Sequence, residues 1–354
     1  MSKIKIGITQ GDINGVGYEV ILKTFSEPHL MELCIPVLYG SQKLAQAHKQ
    51  KLTDIQVNMQ VIADANMAQE RKLNIISCTD DKVTVNFGKG SEESAKAALD
   101  SLERACNDLR EGQIDALVTA PISKGHMQED KFGHKGHTEY LAQQFGVNED
   151  DALMLLMTPY MRVALATNHL AMKDVANHLS KELIVKKLNI LNQCLKSDLG
   201  IRRPRIAVLA LNPHSGDNGI LGHEEEDIII PAIEEAESNH EVLAIGPYAA
   251  DGFFGNGTYR SFDAILAMYH DQGLIPLKMT GMSNGVNFTA GLPFVRTSPD
   301  HGTAFDIAGT NMADPTSFRE AVYAAVDIYM HRKSYEELNA HPLVIKQKQT
   351  NNKE

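Results

Sequence analysis

The chain has 354 residues, 43% of them hydrophobic, and a formal net charge of −11. That length supplies the core of two ordinary domains rather than one. The acidic balance argues against a nucleic-acid or membrane surface and leaves room for a local basic pocket. Four cysteines, at 34, 78, 106 and 194, show no Cys-x-x-Cys spacing and read as reduced, mostly buried thiols of a cytosolic protein.

Lys3–Thr9 is an apolar run that predicts a buried strand, with no signal peptide before it. The glycine-rich loop Gln10–Gly17 (QGDINGVG) and a helix over Tyr18–Phe25 complete a β-loop-α unit, and amides at such a helix start can hold an anion. The spacing matches neither the Walker nor the dinucleotide fingerprint, and a tight structural turn explains it equally well. A strand over Cys34–Tyr39 and a helix over Ser41–Lys51 follow, and the pattern from Thr53 to Phe87 is mixed, with short strands. Ser91–Gly112 is the clearest helix. Ser91 suits the N-cap, Glu92 and Glu93 suit the first turn, and Ala95, Ala98, Leu99, Leu102, Cys106 and Leu109 recur at helical spacing.

Ile114–Thr119 predicts a strand that ends in the turn Ala120–Lys124, and a loop over Gly125–Gly136 leads to a helix opened by His137 and Thr138. Strands are expected over Ala152–Met157 and Arg162–Thr167. This apolar region is cut by Pro159 and Arg162 and is no membrane span. An amphipathic helix over Ser180–Leu199, a strand over Arg205–Leu211, an acidic helix start at Glu224–Glu226, a strand over Val242–Ile245 and a glycine-rich loop over Gly246–Gly257 come next. Ala264–Tyr269 is a further strand and Ser317–His331 a last helix. The polar tail from Gln347 reads as frayed.

Three of these strands end in histidine: VALATNH at His169, IAVLALNPH at His214 and AILAMYH at His270. The C-terminal ends of parallel strands share one edge, so three imidazoles there would make a divalent-metal site with an open position, and Asp271 would orient His270. Three ordinary polar strand ends are the competing reading. Lys278 and Arg296, with Asn287 between them, suit an anionic substrate, as does the helix start at His137-Thr138, and exposed surface cations are the competing reading. Asp300–Gly309 (DHGTAFDIAG) suits wrapping of an adenosine with a carboxylate on the ribose, and suits a structural loop equally. A zinc hydrolase using the same three histidines to activate water, and a non-catalytic metabolite-binding protein, are both open readings of these residues.

The stretches TQGDINGVGYE, TAPISK, GHTEYLA, TNHL, NPHSGD, YHDQGLIPLK and VNFTAGLPFVRTSPDHGTAFDIAG resemble the signatures of the 4-hydroxythreonine-4-phosphate dehydrogenase family of pyridoxal phosphate biosynthesis. The resemblance runs from Thr9 to Gly309. It implies an isocitrate/isopropylmalate dehydrogenase-like fold of two α/β/α domains: 1–128 with 280–354 on the cofactor side, and 129–279 carrying the metal, substrate and dimer contacts. It implies a homodimer with shared active sites, NAD or NADP, and one divalent metal per subunit (Zn, Mg or Co) held by His169, His214 and His270. It implies substrate contacts from His137, Thr138, Lys278, Asn287 and Arg296, catalytic roles for Lys278 and Asp271, and a cofactor site at Asp12, Gly15, Asp300, His301, Gly302 and Asp306. The expected substrate is 4-phosphooxy-L-threonine. The alternative is 4-phospho-threonate or another metal-chelated alcohol. Ile13, Asn14 and Tyr18 replace the Pro, Ala and Pro usual in the first motif, His223 stands in place of a common Arg, and His126–Lys135 is atypical.

Overall fold

The computed structural model describes residues 3–53, 55–80, 82–126 and 136–341. Most of the atypical segment His126–Lys135 and the polar tail from Gln347 lie outside these residues.

The described chain runs β1 (Ile4–Thr9), α1 (Gly17–Thr24), α2 (Pro28–Leu33), β2 (Cys34–Gly40), α3 (Gln42–Lys49), β3 (Met59–Ile62), β4 (Leu73–Ser77), α4 (Glu92–Arg110), β5 (Ala116–Thr119) and α5 (His137–Gln144). It continues β6 (Leu153–Met157), β7 (Arg162–Leu165), α6 (Met172–His178), α7 (Lys181–Ser197), β8 (Arg205–Leu209), α8 (Ile230–His240), β9 (Leu243–Tyr248), α9 (Ala250–Gly255), β10 (Ala264–Ala267), α10 (His270–Gly281), β11 (Val286–Ala290), β12 (Val295–Pro299) and α11 (Thr316–Asn339). Ser91 caps α4 by accepting from Ser94 N, so the Ser and acids at that start act as their chemistry demands.

All twelve strands form one sheet in the order β3-β4-β2-β1-β5-β12-β11-β6-β7-β10-β8-β9. The pairs from β3 to β12 are parallel, and so are those from β7 to β9. Between them β11 is antiparallel to both β12 and β6, and β6 is antiparallel to β7. Alternate side chains enter different layers. On β5, Ala116 and Val118 pack with Phe318, Ala321 and Val322 of α11, while Leu117 packs with Leu102, Ala105 and Cys106 of α4. On β7, Ala164 joins Ile184, Leu188 and Leu191 of α7, while Val163 and Leu165 join Leu274 and Leu277 of α10. Helices therefore cover both faces, and this is why the strands read as continuous apolar runs. Cys34, Cys106 and Cys194 are buried and Cys78 is half-buried; all four are free. No helix among the described residues is long and apolar enough to cross a membrane.

Several elements depart from the expectations. The glycine-rich stretch Gly246–Gly257 is not one loop, since it holds the end of β9 and all of α9. The short helices α2 and α6 were not expected. Neither were β11 and β12, whose hairpin lies within the motif read above as a single block, and α10 begins at His270 where only a strand end was expected.

Candidate active site

The antiparallel hairpin makes the floor of a cavity of about 260 Å³. Leu156, Asn287 and Ser298 lie side by side across β6, β11 and β12, and Met154 pairs with Thr289 in the next row of the same face. Arg296 sits beside Thr289, donating from Nη1 to its Oγ1 at 3.1 Å, and donates from Nε and Nη2 to Thr119 Oγ1 at 3.1 and 2.7 Å. Arg296 is 3% exposed, and burial lowers its pKa to about 10. Its hydrogen-bond partners among the described residues are hydroxyls, and the Glu139 carboxylate, which lines the same cavity, acts on the guanidinium through space without bonding it. A buried cation in this condition is expensive unless an anion completes it.

Five of the buried polar atoms without a hydrogen-bond partner among the described residues line this cavity: His137 Nε2, Asn168 Oδ1, Asn287 Oδ1, Asp300 Oδ2 and His301 Nε2. Left without a partner, a buried polar atom costs about 1–3 kcal/mol. Burial, then the positive charges of Arg296 and Lys124, hold the His137 imidazole well below its ordinary pKa and hence neutral. His137 and Thr138 open α5 behind Gly136, and Lys124 lines the same end. Lys278 Nζ lies 3.3 Å from Asp300 Oδ2, close enough for attraction without an aligned hydrogen bond. Burial raises the Asp300 pKa, and Lys278 offsets part of that.

His169 and His270 stand together at the rim, ring centroids 5.9 Å apart. Asp271 Oδ1 meets His270 Nδ1 at 2.7 Å, which leaves Nε2 as the nitrogen open to a ligand. His214 is not with them. Its strand β8 does end on the same edge, beside β10, but the turn Pro213–Gly216 carries it outward into solvent, off the cavity wall. The expected convergence of three imidazoles therefore fails within one protomer. Among the described residues no group of three or more His, Cys, Asp or Glu is placed to hold a metal ion. Two adjacent imidazoles, one with an orienting carboxylate, fit part of a divalent-metal site and need a further ligand.

The residues assigned to the cofactor divide. Asp300, His301 and Gly302 line the cavity, whereas Asp12 and Gly15 do not, and Asp306 is exposed on the turn beyond. Asp12 is buried beneath its loop, accepting from Asn14 N at 3.0 Å and Ser94 Oγ at 3.1 Å; burial raises its pKa. A Cβ on Gly15 would stand 2.7 Å from Thr303 O, so only glycine lets this loop approach the 300–309 segment. The departures Asn14 and Tyr18 have work there. Asn14 donates to Lys89 O and accepts from Asn86 N, both at 2.7 Å, and Tyr18 Oη donates to Gln10 Oε1 at 2.6 Å. Thr119, Lys124 and Asn168 were not singled out from the sequence, although each follows or ends a strand, the position where α/β sheets present ligand contacts.

The fold is that of a β-decarboxylating dehydrogenase from Thermococcus kodakarensis, with a TM-score of 0.50 over 95% of this chain and 89% of that one at 13% identity, a likeness of architecture alone. The family pattern described as pyridoxal phosphate biosynthetic protein PdxA matches residues 32–325, and the chain belongs to that family. It is 54% identical to the 4-hydroxythreonine-4-phosphate dehydrogenase of Bacteroides thetaiotaomicron, covering 97% of this chain and 93% of the relative. It is 33% identical to the crystallised 4-hydroxythreonine-4-phosphate dehydrogenase of Klebsiella pneumoniae, with a TM-score of 0.81 over 93% of this chain and 98% of that one.

Proposed function

We propose that this protein oxidises 4-phosphooxy-L-threonine at its C3 hydroxyl, with NAD or NADP, to 2-amino-3-oxo-4-phosphooxybutanoate, which then loses carbon dioxide to give 3-amino-2-oxopropyl phosphate. The supporting observation is the buried Arg296, hydrogen-bonded only to hydroxyls among the described residues, in a cavity ringed by unmet polar atoms, beside a paired His169 and His270.

Arg296, the His137-Thr138 helix start and Lys124 anchor the phosphate, since charge-assisted bonds to a guanidinium fork and a helix N-terminus suit its oxygens. Asn287 orients the substrate across the floor. Lys278 gives a proton to Asp300, whose raised pKa suits that role, and the neutral amine then takes the hydroxyl proton. Holding the phosphate at one end and the hydroxyl at the other fixes C3 in the orientation that oxidation requires. His169 and His270 would hold a divalent metal (Zn, Mg or Co), with Asp271 fixing the His270 tautomer; when bound, such an ion lowers the pKa of the substrate hydroxyl. The nicotinamide, when bound, supplies the hydride acceptor, and the 300–306 segment lines its approach.

The further metal ligand is His214 of a second copy. His214 is exposed on a turn whose neighbours Ile220 and Leu221 are also exposed, at 77% and 44%. On the helix opened by His270, Ile275 and Met279 are 58% and 83% exposed. A homodimer that covers these apolar side chains brings His214 to the partner's rim. In this reading 1–128 with 280–354 form the cofactor side and 129–279 the metal side. The test is a substrate panel assayed with NAD and NADP: turnover of 4-phosphooxy-L-threonine well above 4-phospho-threonate and the unphosphorylated analogue is expected. Equal rates without the phosphate, or hydrolysis independent of nicotinamide, would overturn it.

A further inference from the structure

The three strands that carry the histidines lie side by side as β7-β10-β8, and side-chain bonds tie their exits into one run. Thr167 donates from N and Oγ1 to Met268 O at 3.2 and 2.7 Å. Met268 N donates to Gln272 Oε1 at 2.8 Å, and Gln272 Nε2 donates to Ala210 O at 2.6 Å. The next two amides, Leu211 N and Asn212 N, both donate to Glu225 Oε1 at 2.8 Å, and Asn212 Nδ2 donates to Glu225 Oε2 at 2.9 Å. The run starts two residues before His169, passes through the helix that His270 opens, and stops two residues before His214.

Thr167 and Asn212 add side-chain bonds of their own, but Gln272 and Glu225 carry the run across the exit of β8, and neither of their bond sets belongs to a strand ladder or a helix. Glu225 is buried and lies in the π turn Glu225–Ile229, a local departure from α-helix geometry of the kind found at functional sites. The packing around it is tight enough that a Cβ on Gly216 would meet Glu225 Oε2 at 2.7 Å, and one on Gly222 would meet Asn212 Nδ2 at 2.5 Å. Beyond this base, His214 and Ser215 adopt left-handed backbone, φ 52° and 56°, a conformation that persists in non-glycine residues only where the surroundings enforce it.

We infer that Gln272 and Glu225 are positioning residues for the metal ligands: they set the point and direction from which the His214 turn leaves β8, in register with His270. This rests on the reading of the three histidines as ligands. Gln272 grips the exit of β8 from the helix of His270, so one amide side chain ties the ligand a protomer keeps to the ligand it lends to its partner.

The experiment uses the full-length protein loaded with cobalt(II), reading the visible ligand-field absorption and the dissociation constant by chelator competition. Gln272→Glu keeps the size and the acceptor for Met268 N but places an oxygen against Ala210 O, and Glu225→Asp withdraws the carboxylate from Leu211 and Asn212. Both should shift the cobalt band and weaken cobalt binding about 10- to 100-fold, the usual cost of losing support behind a ligand. Gln272→Met, of similar shape and uncharged, gives the same reading should the Glu variant not fold. Asn74→Ala is the comparator, since Asn74 is a buried amide in a β4 network far from the histidines. It should lower the melting temperature and leave the band unchanged. Wild-type band and affinity in the Gln272 and Glu225 variants would overturn the inference. So would equal weakening in Asn74→Ala, which would reduce the effect to stability. If His214→Ala leaves cobalt binding intact, the ligand reading itself fails and this inference falls with it.

Discussion

Thr119 and Arg296 are joined by two hydrogen bonds to one hydroxyl: Thr119 Oγ1 accepts from both Nε and Nη2 of the guanidinium, at 3.1 and 2.7 Å. A neutral hydroxyl orients the fork without cancelling its charge, and the remaining charge is available to an anion. Arg296→Met should therefore raise KM for the phosphorylated substrate strongly, since losing one partner of a buried charged contact costs about 2–5 kcal/mol. The ligand-free variant should melt no lower than wild type, because the desolvation of this buried cation outweighs its through-space attraction to Glu139. Steady-state kinetics and calorimetry read the two halves. An unchanged KM would remove Arg296 from the phosphate site.

His137 is held neutral by burial and by Arg296 and Lys124. A phosphate arriving beside it reverses the local field and raises the imidazole pKa, so binding takes up a proton and affinity falls as pH rises. Titration calorimetry near pH 6 in buffers of different ionisation enthalpy should show this uptake in wild type and not in His137→Asn. Identical enthalpies across buffers in wild type would contradict it.

The metal reading makes a pattern of rescues. His169 and His270 share one rim and His214 stands apart, so mixed dimers of His214→Ala with His169→Ala, or with His270→Ala, should regain activity. The pair His169→Ala with His270→Ala should not. Pull-down with tagged subunits establishes that hybrids formed. Activity in no mixture, with hybrids present, would place each site within one protomer.

Asp271 Oδ1 fixes Nδ1 of His270 at 2.7 Å. Asp271→Asn should weaken zinc or cobalt binding about 10- to 100-fold by chelator competition while the fold survives, as the carboxylate is exposed. Unchanged affinity would make the contact incidental.

Away from the cavity, burial lowers the His48 pKa from 6.5 to about 4, where its Nε2 bonds Ile13 O at 2.8 Å. The folded state then binds fewer protons than the unfolded one below pH 6.5. Stability from this group is whole above that pH and is lost as pH falls toward 4, by roughly 3 kcal/mol in all. His48→Gln should flatten urea-unfolding free energy across this window. A slope equal to wild type would show that His48 does not carry it.

Much of this molecule is legible along the chain because its determinants are local. The β1-loop-α1 unit, the Ser91 cap of α4 and the apolar runs of β7, β8 and β10 follow from periodicity and capping chemistry, which act over a few residues. The residue types of the site, His137, His169, His270, Lys278, Asn287 and Arg296, are legible too, since imidazoles, amides and cations after apolar strands have few other uses in such number. Tertiary structure decided the rest. The β11–β12 hairpin is short, and its side chains become a cavity floor only through pairing with β6 and β5, which lie far away in sequence. That pairing turned Arg296 from a cation of unknown exposure into a buried charge held by Thr119, 177 positions distant. It also parted the histidines. Strand ends on one edge are a property of the sheet, but the direction in which Pro213–Gly216 carries His214 is set by Gln272 and Glu225, through contacts that no local pattern encodes.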